Sequence, residues 1–138
     1  MSAPRAIDAI TDAGLLAGRC LLVFIFLHEG LGILGAYAPA AAYMQKSGVP
    51  ALLLPAVIAL QIGGGLLIVA GVTTRLSALA FAVFCVLTAL LFHWQFADRN
   101  QLLHFQKDLA IAGGFLVLAC SGPGRWSLGR FVPRLGGL

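Results

Sequence analysis

The sequence has few charged residues. Five Asp and Glu and nine Lys and Arg make up 10% of the 138 residues, and 60% are hydrophobic. Soluble proteins carry about a quarter charged residues, and a soluble domain of this length needs more polar surface than these can provide. A disordered chain would be poorer in apolar residues. The composition therefore predicts an integral membrane protein, with residues 1–138 forming one domain.

Several signatures of other protein classes are also missing. The basic residues are scattered singly, which argues against nucleic acid as a partner. Cys20, Cys85 and Cys120 form no CxxC pair, which argues against a disulfide framework or a dithiol relay. No motif for a flavin, a nicotinamide or an iron–sulfur cluster is present. Any electrons would therefore have to come from a protein partner.

Four apolar stretches are long enough to cross a bilayer, which takes about 20 residues each. They cover residues 14–35, 50–71, 75–96 and 104–121. The connectors are short and rich in turn formers, so neighbouring helices are predicted to run antiparallel in an up-down four-helix bundle. The runs lack the period-two alternation of a membrane barrel. The predicted fold class is an all-α, multi-pass membrane protein.

The distribution of Lys and Arg predicts the orientation of the bundle. With a cytoplasmic N-terminus, six basic residues lie inside and three outside. The inner set is Arg5, Arg19, Arg75, Arg125, Arg130 and Arg134, and the outer set is Lys46, Arg99 and Lys107. This bias predicts that both termini are cytoplasmic. Arg19 and Arg75 are interpreted as residues that snorkel to the interface, and the acid-free tail is expected to lie against the anionic leaflet.

Polar residues inside the predicted spans concentrate in the outer half of the bundle. They are His28, Glu29, Gln61, His93, His104, Lys107 and Asp108. Ionisable groups in spans are costly and point to function, although each also has a structural interpretation. Glu29 either carries protons and binds a ligand or is held by Lys107 or a histidine as part of the packing. Gln61 fits a hydrogen bond between helices. The histidines lack the ligand spacing of a metal site, so no metal is predicted.

Several segments in order resemble the DoxX family of small bacterial membrane proteins. The matching segments are YMQKSGVP at 43–50, GGGLL at 63–67, GVTTRL at 71–76, LFH at 91–93, HFQKDLAIAGG at 104–114 and GPGRWSL at 122–128. The resemblance extends from about residue 18 to residue 128. It implies a four-helix protein of the bacterial inner membrane that is associated with electron transfer. The polar residues that match the family by position are Arg19, Arg75, His93, His104 and Lys107.

Four positions in three of the spans depart from the family pattern. Relatives often have a lysine where this chain has Ile33, and Glu29 is an added acid in the same span. The second span commonly carries an acid where Gln61 stands, and Asp108 replaces an asparagine. A buried ion pair of the family is therefore expected to be replaced by a neutral arrangement here.

The leading hypothesis is an accessory subunit of a quinone-linked membrane oxidoreductase or a redox-defence system. In this hypothesis Glu29, His93, His104 and Lys107 line a pocket for a quinone head group. Lys107 or His104 would donate to a carbonyl, and Glu29 would relay a proton. The expected partners are the bilayer, an electron-donating protein and further copies of this chain. The alternative is a non-catalytic scaffold or assembly factor; a small transporter is disfavoured by the lack of an inverted repeat. Whether the chain is itself an enzyme stays open.

Overall fold

A computed structural model describes residues 3–132, and it is helical along most of that length. Four helical stretches are long and apolar enough to cross a membrane: Ala6–Gly35, Ala51–Ala70, Thr74–Phe92 and Arg99–Ser121. The prediction of an all-helical protein with four candidate spans is confirmed. The antiparallel order of the helices and the location of both termini stay predictions.

The helix bounds differ from the predicted spans at both ends of the chain. The first helix, α1, covers Ala3–Gly35 and begins well before Gly14, because its alanine-rich start favours helix. The last long helix, α6, covers Arg99–Ser121 and begins before His104. Its start is set by Asp98, whose carboxylate accepts a hydrogen bond of 2.8 Å from the Asn100 backbone N–H. The third span, α5, covers Thr74–Phe92 and ends earlier than predicted.

The connector at 36–49, which was predicted as a loop, contains a second helix. This helix, α2, covers Tyr37–Lys46. Met44 packs with Val49 and Leu54 in a small core of its own. The Tyr43 ring stacks on Phe92 at the end of α5, with 5.5 Å between the ring centroids. The connector therefore folds against the end of α5.

The second span is not a uniform α-helix. It consists of a 3₁₀ turn at Ala51–Leu53, helix α3 at Leu54–Ile58, a π-helical segment at Ala59–Gly64 and helix α4 at Gly65–Ala70. π-Helical turns are rare and occur often at functional sites. This one contains Gln61 and packs on Gly30 of α1. A Cβ at Gly30 would lie 2.8 Å from Ile62 Cγ1, so only glycine allows this approach.

The interior is built around three phenylalanines from three spans. Phe26, Phe81 and Phe115 lie with ring centroids 4.8 to 5.6 Å apart, and all three are buried. Aromatic pairs at such distances add to the stability that comes from burial. Gly65 and Gly114 allow Leu27 and Leu22 to pack closely beside this cluster.

The opposite end of the molecule from His93 carries an arginine cluster, here called the arginine end. Arg19 is 2% exposed, and its Nη1 donates to the Pro123 carbonyl at 2.7 Å while Nη2 donates to the Trp126 carbonyl. The interpretation of Arg19 as a snorkelling residue is therefore wrong, because carbonyls of the C-terminal loop bind its guanidinium inside the protein. Arg75 donates to the Ala119 and Cys120 carbonyls at 2.8 and 2.7 Å.

The C-terminal loop is also bound to α1 through acids. The Asp12 carboxylate accepts hydrogen bonds from the Arg125 backbone N–H at 2.8 Å and from Arg125 Nε at 2.7 Å. Asp8 lies 3.6 Å from the same guanidinium. The side-chain hydrogen bond to Asp12 raises the pKa of Arg125 above its usual value. The tail, which has no acid of its own and was expected to lie against the anionic leaflet, thus pairs through Arg125 with acids of α1. Arg134 lies outside the described residues, as do the contacts of Arg5.

Candidate functional site

A cavity of about 440 Å³ lies between α1, α2, the second span and α5. Most of its lining is aliphatic or aromatic, including Leu54, Phe84 and Phe92. The polar side chains that line it are those of Glu29, Tyr43, Gln61, Thr88 and His93. A largely apolar cavity of this size with a few converging polar groups is typical of small-molecule sites.

Gln61 is the buried polar residue of the cavity. It is 6% exposed, and its Oε1 has no hydrogen-bond donor among residues 3–132. Oε1 lies against Gly30, where a Cβ would come within 3.3 Å of it. Buried polar atoms in proteins are nearly always paired, so this acceptor requires a donor beyond those within residues 3–132, such as a water or a ligand.

Glu29 lies at the side of the cavity that faces away from the bundle interior. Its side chain is 61% exposed, and its Oε1 lies 3.8 Å from Nδ1 of His28, whose side chain is 76% exposed. Of the two structural partners predicted for Glu29, Lys107 or a histidine, the neighbour within 4 Å among the described residues is a histidine, His28. Glu29 is therefore available both to a ligand in the cavity and to a molecule outside it.

His93 follows the last residue of α5 and borders the cavity at the other side. Its Nδ1 lies 2.7 Å from Gln101 Oε1, and because an amide oxygen only accepts, Nδ1 carries a hydrogen. In the neutral ring Nε2 is then a free acceptor, and it lies 3.9 Å from Asp108 Oδ2. The His104 ring stacks on the His93 ring with 5.0 Å between centroids. The side chains of Gln101, His104 and Asp108 on α6 thus orient the His93 ring, and with this orientation of the Gln101 amide they favour the tautomer with a hydrogen on Nδ1.

The structure brings together some of the predicted site residues and separates others. Glu29, Gln61 and His93 line one cavity, whereas His104 and Lys107 are not part of its lining. His104 and Asp108 lie beside His93, Lys107 is exposed, and His28 faces outward.

Two residues of the cavity wall, Tyr43 and Thr88, were not predicted as site residues from the sequence. Both are neutral, and a search for ionisable residues in spans does not find them. A usable signal was the spacing of Phe84, Thr88 and Phe92, which puts them on one face of α5.

Comparison with known proteins places the chain in a family. The DoxX family profile matches residues 14–94. The chain is 46% identical over 123 residues to "Inner membrane protein YqjF" of Escherichia coli (strain K12), covering 89% of this chain and 95% of that protein. It is 35% identical over 123 residues to "Inner membrane protein YphA" of the same organism, covering 84% and 88%. No solved structure matches the chain. With four candidate spans, it is a multi-pass protein of the inner membrane.

Proposed function

This chain belongs to the DoxX family, and from that premise we propose that it is an accessory subunit of a quinone-linked membrane oxidoreductase. The cavity beside Glu29, Gln61 and His93 is the proposed site for the quinone head group. The observation that supports the proposal is a largely apolar cavity whose wall includes Glu29, His93 and Gln61, a residue with an unpaired buried amide oxygen. The cavity is lined mainly by residues of the candidate spans, and membrane quinones are dissolved in the bilayer that these spans would cross.

The polar groups of the cavity suit the reduced form of such a ligand. A quinone that takes up two electrons and two protons becomes a quinol with two hydroxyl groups, each of which donates a hydrogen bond. Gln61 Oε1, the Glu29 carboxylate and the neutral His93 Nε2 are all acceptors. The chain contributes binding and proton exchange in this proposal, and the electrons move to or from a partner protein.

His93 and Glu29 serve as the proton-exchanging residues of the proposed site. His93 takes a proton on Nε2, and Asp108, 3.9 Å away, stabilises the imidazolium that results. Glu29 lies on another wall of the cavity and exchanges a proton there. Lys107, which the sequence hypothesis made a donor, has no part in this arrangement because it does not line the cavity.

A ligand-dependent stability measurement tests the proposal. Purified protein is titrated with a short-chain ubiquinol, and the rise of the unfolding temperature is followed for wild type and three variants. Gln61→Leu removes the unpaired amide, and the nearly isosteric Thr88→Val removes a hydroxyl that is proposed to bond a quinol oxygen; both side chains line the cavity. Gln106→Leu, at an exposed position of α6 away from the cavity, is the control. Loss of one hydrogen bond is expected to weaken binding by about three- to tenfold in the first two variants, with the control unchanged.

The alternative of a non-catalytic scaffold predicts another outcome. In that case the quinol leaves the unfolding temperature of wild type unchanged, or all variants respond to it equally. The Thr88→Val variant keeps the test decisive if Gln61→Leu does not fold, since a hydroxyl-to-methyl exchange preserves the side-chain shape.

A further inference from the structure

Two adjacent ionisable side chains, those of His28 and Glu29, lie on an exposed side of α1. Their distance from the arginine end indicates how deep they would lie in a bilayer. Gly71, which closes the second span, lies against Arg19, so Arg19 marks the arginine end of the bundle. Glu29 is ten residues further along α1, which is about 15 Å at 1.5 Å per residue. The hydrocarbon core is about 30 Å thick. His28 and Glu29 are therefore close to its midplane.

The exposure of this pair is anomalous for a protein in a bilayer. The two side chains are 76% and 61% exposed in the single chain. Charged residues in spans nearly always face the protein interior or a water-filled cavity, because contact with lipid tails is costly. Their only mutual contact, at 3.8 Å, leaves most of their polar surface uncovered. Something other than lipid is expected to cover them.

His28 lies at the centre of a regular seam on the same helix face. The seam consists of Gly14, Gly18, Leu21, Ile25, His28, Gly32 and Gly35, with spacings of four and three residues in alternation. That spacing is the heptad pattern of two helices that pack in a left-handed coil. The core-facing side of α1, with Val23, Phe26 and Gly30, lies opposite.

The seam has room for a closely packed helix. A Cβ at Gly14, Gly18, Gly32 or Gly35 would meet nothing within 4 Å, in contrast to Gly30, which packs inside the bundle. Leu21 is 76% exposed and Ile25 is 39% exposed. Small residues at both ends of a seam let two helix backbones approach, and larger ones between them supply contact area.

We propose that the occupant of this seam is a second copy of the same chain, packed in parallel through α1. Two copies inserted in the same orientation hold each residue at the same depth. About a two-fold axis, His28 lies opposite its own copy and also contacts the next residue of the other helix, Glu29 of the partner subunit; by symmetry Glu29 contacts the partner's His28. Because a histidine of one copy meets a carboxylate of the other, a second copy of the chain covers both His28 and Glu29. The glycines would allow any helix to pack here, whereas the match between His28 and Glu29 indicates that the helix belongs to a second copy.

The interface also closes the outward side of Glu29, which lines the cavity. The partner subunit's His28 thereby becomes a second neighbour of a residue in the proposed site. The dimer itself does not depend on what the cavity binds.

Dilution in lipid bilayers tests the proposal directly. Donor- and acceptor-labelled protein is reconstituted at decreasing protein-to-lipid ratios, and energy transfer gives the dissociation constant. Gly32→Leu places bulk in the seam and is expected to raise that constant at least about tenfold. Gly113→Leu is the matched control, since Gly113 is an exposed glycine of α6 that also has nothing within 4 Å. Wild type that stays monomeric at every ratio, or equal effects of the two variants, would overturn the proposal.

A mixing experiment tests the charge complementarity separately. His28→Gln and Glu29→Gln each remove both cross-subunit pairs from a homodimer, whereas a mixture of the two variants keeps one pair. The mixture is therefore expected to associate more tightly than either variant alone. Association of the mixture no tighter than that of the single variants would refute the pairing of His28 with Glu29.

Discussion

Replacement of Arg19 by methionine is expected to release the C-terminal loop and destabilise the bundle. Arg19 is 2% exposed, and its guanidinium donates to the carbonyls of Pro123 and Trp126. Methionine has a similar length but no donor, so both carbonyls lose their partner. Of the bonds between the loop and α1 described above, those of Asp12 with Arg125 then remain.

The size of the effect follows from these two bonds. A hydrogen bond to a charged group contributes about 1.5–3 kcal/mol, so the two together give about 3–6 kcal/mol. Part of this is offset, because the variant no longer buries a cation without a carboxylate partner. A net loss of about 2–4 kcal/mol in the free energy of unfolding is therefore expected.

Titration with sodium dodecyl sulfate measures the free energy of unfolding for wild type, Arg19→Met and Arg99→Met. Arg99 is the control because it is an exposed arginine at the start of α6. Limited trypsin digestion reports separately on the loop, through the rate of cleavage after Arg125. The reasoning fails if Arg19→Met and Arg99→Met have the same stability, or if cleavage after Arg125 is no faster in Arg19→Met.

Three further predictions concern the same end of the molecule. Gly71→Ala is expected to lower the free energy of unfolding by at least about 1 kcal/mol in the same titration. Gly71 has φ +73°, and a Cβ there would collide with Ser127 and Arg19. The control Gly113→Ala, on the open surface of α6, should leave the free energy of unfolding unchanged or raise it. Asp12→Ala is expected to speed tryptic cleavage after Arg125, whose guanidinium and backbone N–H it binds; an unchanged rate would contradict that contact. With Cys20 and Cys85 replaced, exposed Cys120 should react with an impermeant maleimide in inverted vesicles and not in spheroplasts. The reverse pattern would refute cytoplasmic termini.

The sequence predicts the spans well because the length and the apolar composition of a segment largely determine whether it can cross a bilayer. It predicts their ends less well, because these depend on individual contacts such as the Asp98 cap. It also fails to show helix α2, since a ten-residue segment with proline and polar residues resembles a connector, and the helix gains its stability by packing Met44 and Tyr43 onto its neighbours.

The candidate site could be predicted only in part, for a similar reason. Hydrophobicity indicates which residues are unusual in a span, and this identified Glu29, Gln61 and His93. It does not indicate which of them meet, because that depends on the rotation of each helix about its axis. Lys107 and Asp108 are adjacent in sequence, yet only Asp108 approaches His93. Likewise, the sequence predicts that Arg19 snorkels to the interface, because nothing in a sequence shows that a distant loop returns to bind its guanidinium.

If the cavity beside Gln61 binds a membrane quinone as proposed, chemical analysis of the purified protein should detect the quinone. Protein isolated from membranes in mild detergent is extracted with solvent, and its ubiquinone and menaquinone are quantified beside those of Gln61→Leu and Gln106→Leu. The account predicts quinone in near-stoichiometric amount in wild type and Gln106→Leu, and much less in Gln61→Leu. Equal quinone in all three proteins, or none in wild type even after incubation with excess quinol, would contradict it.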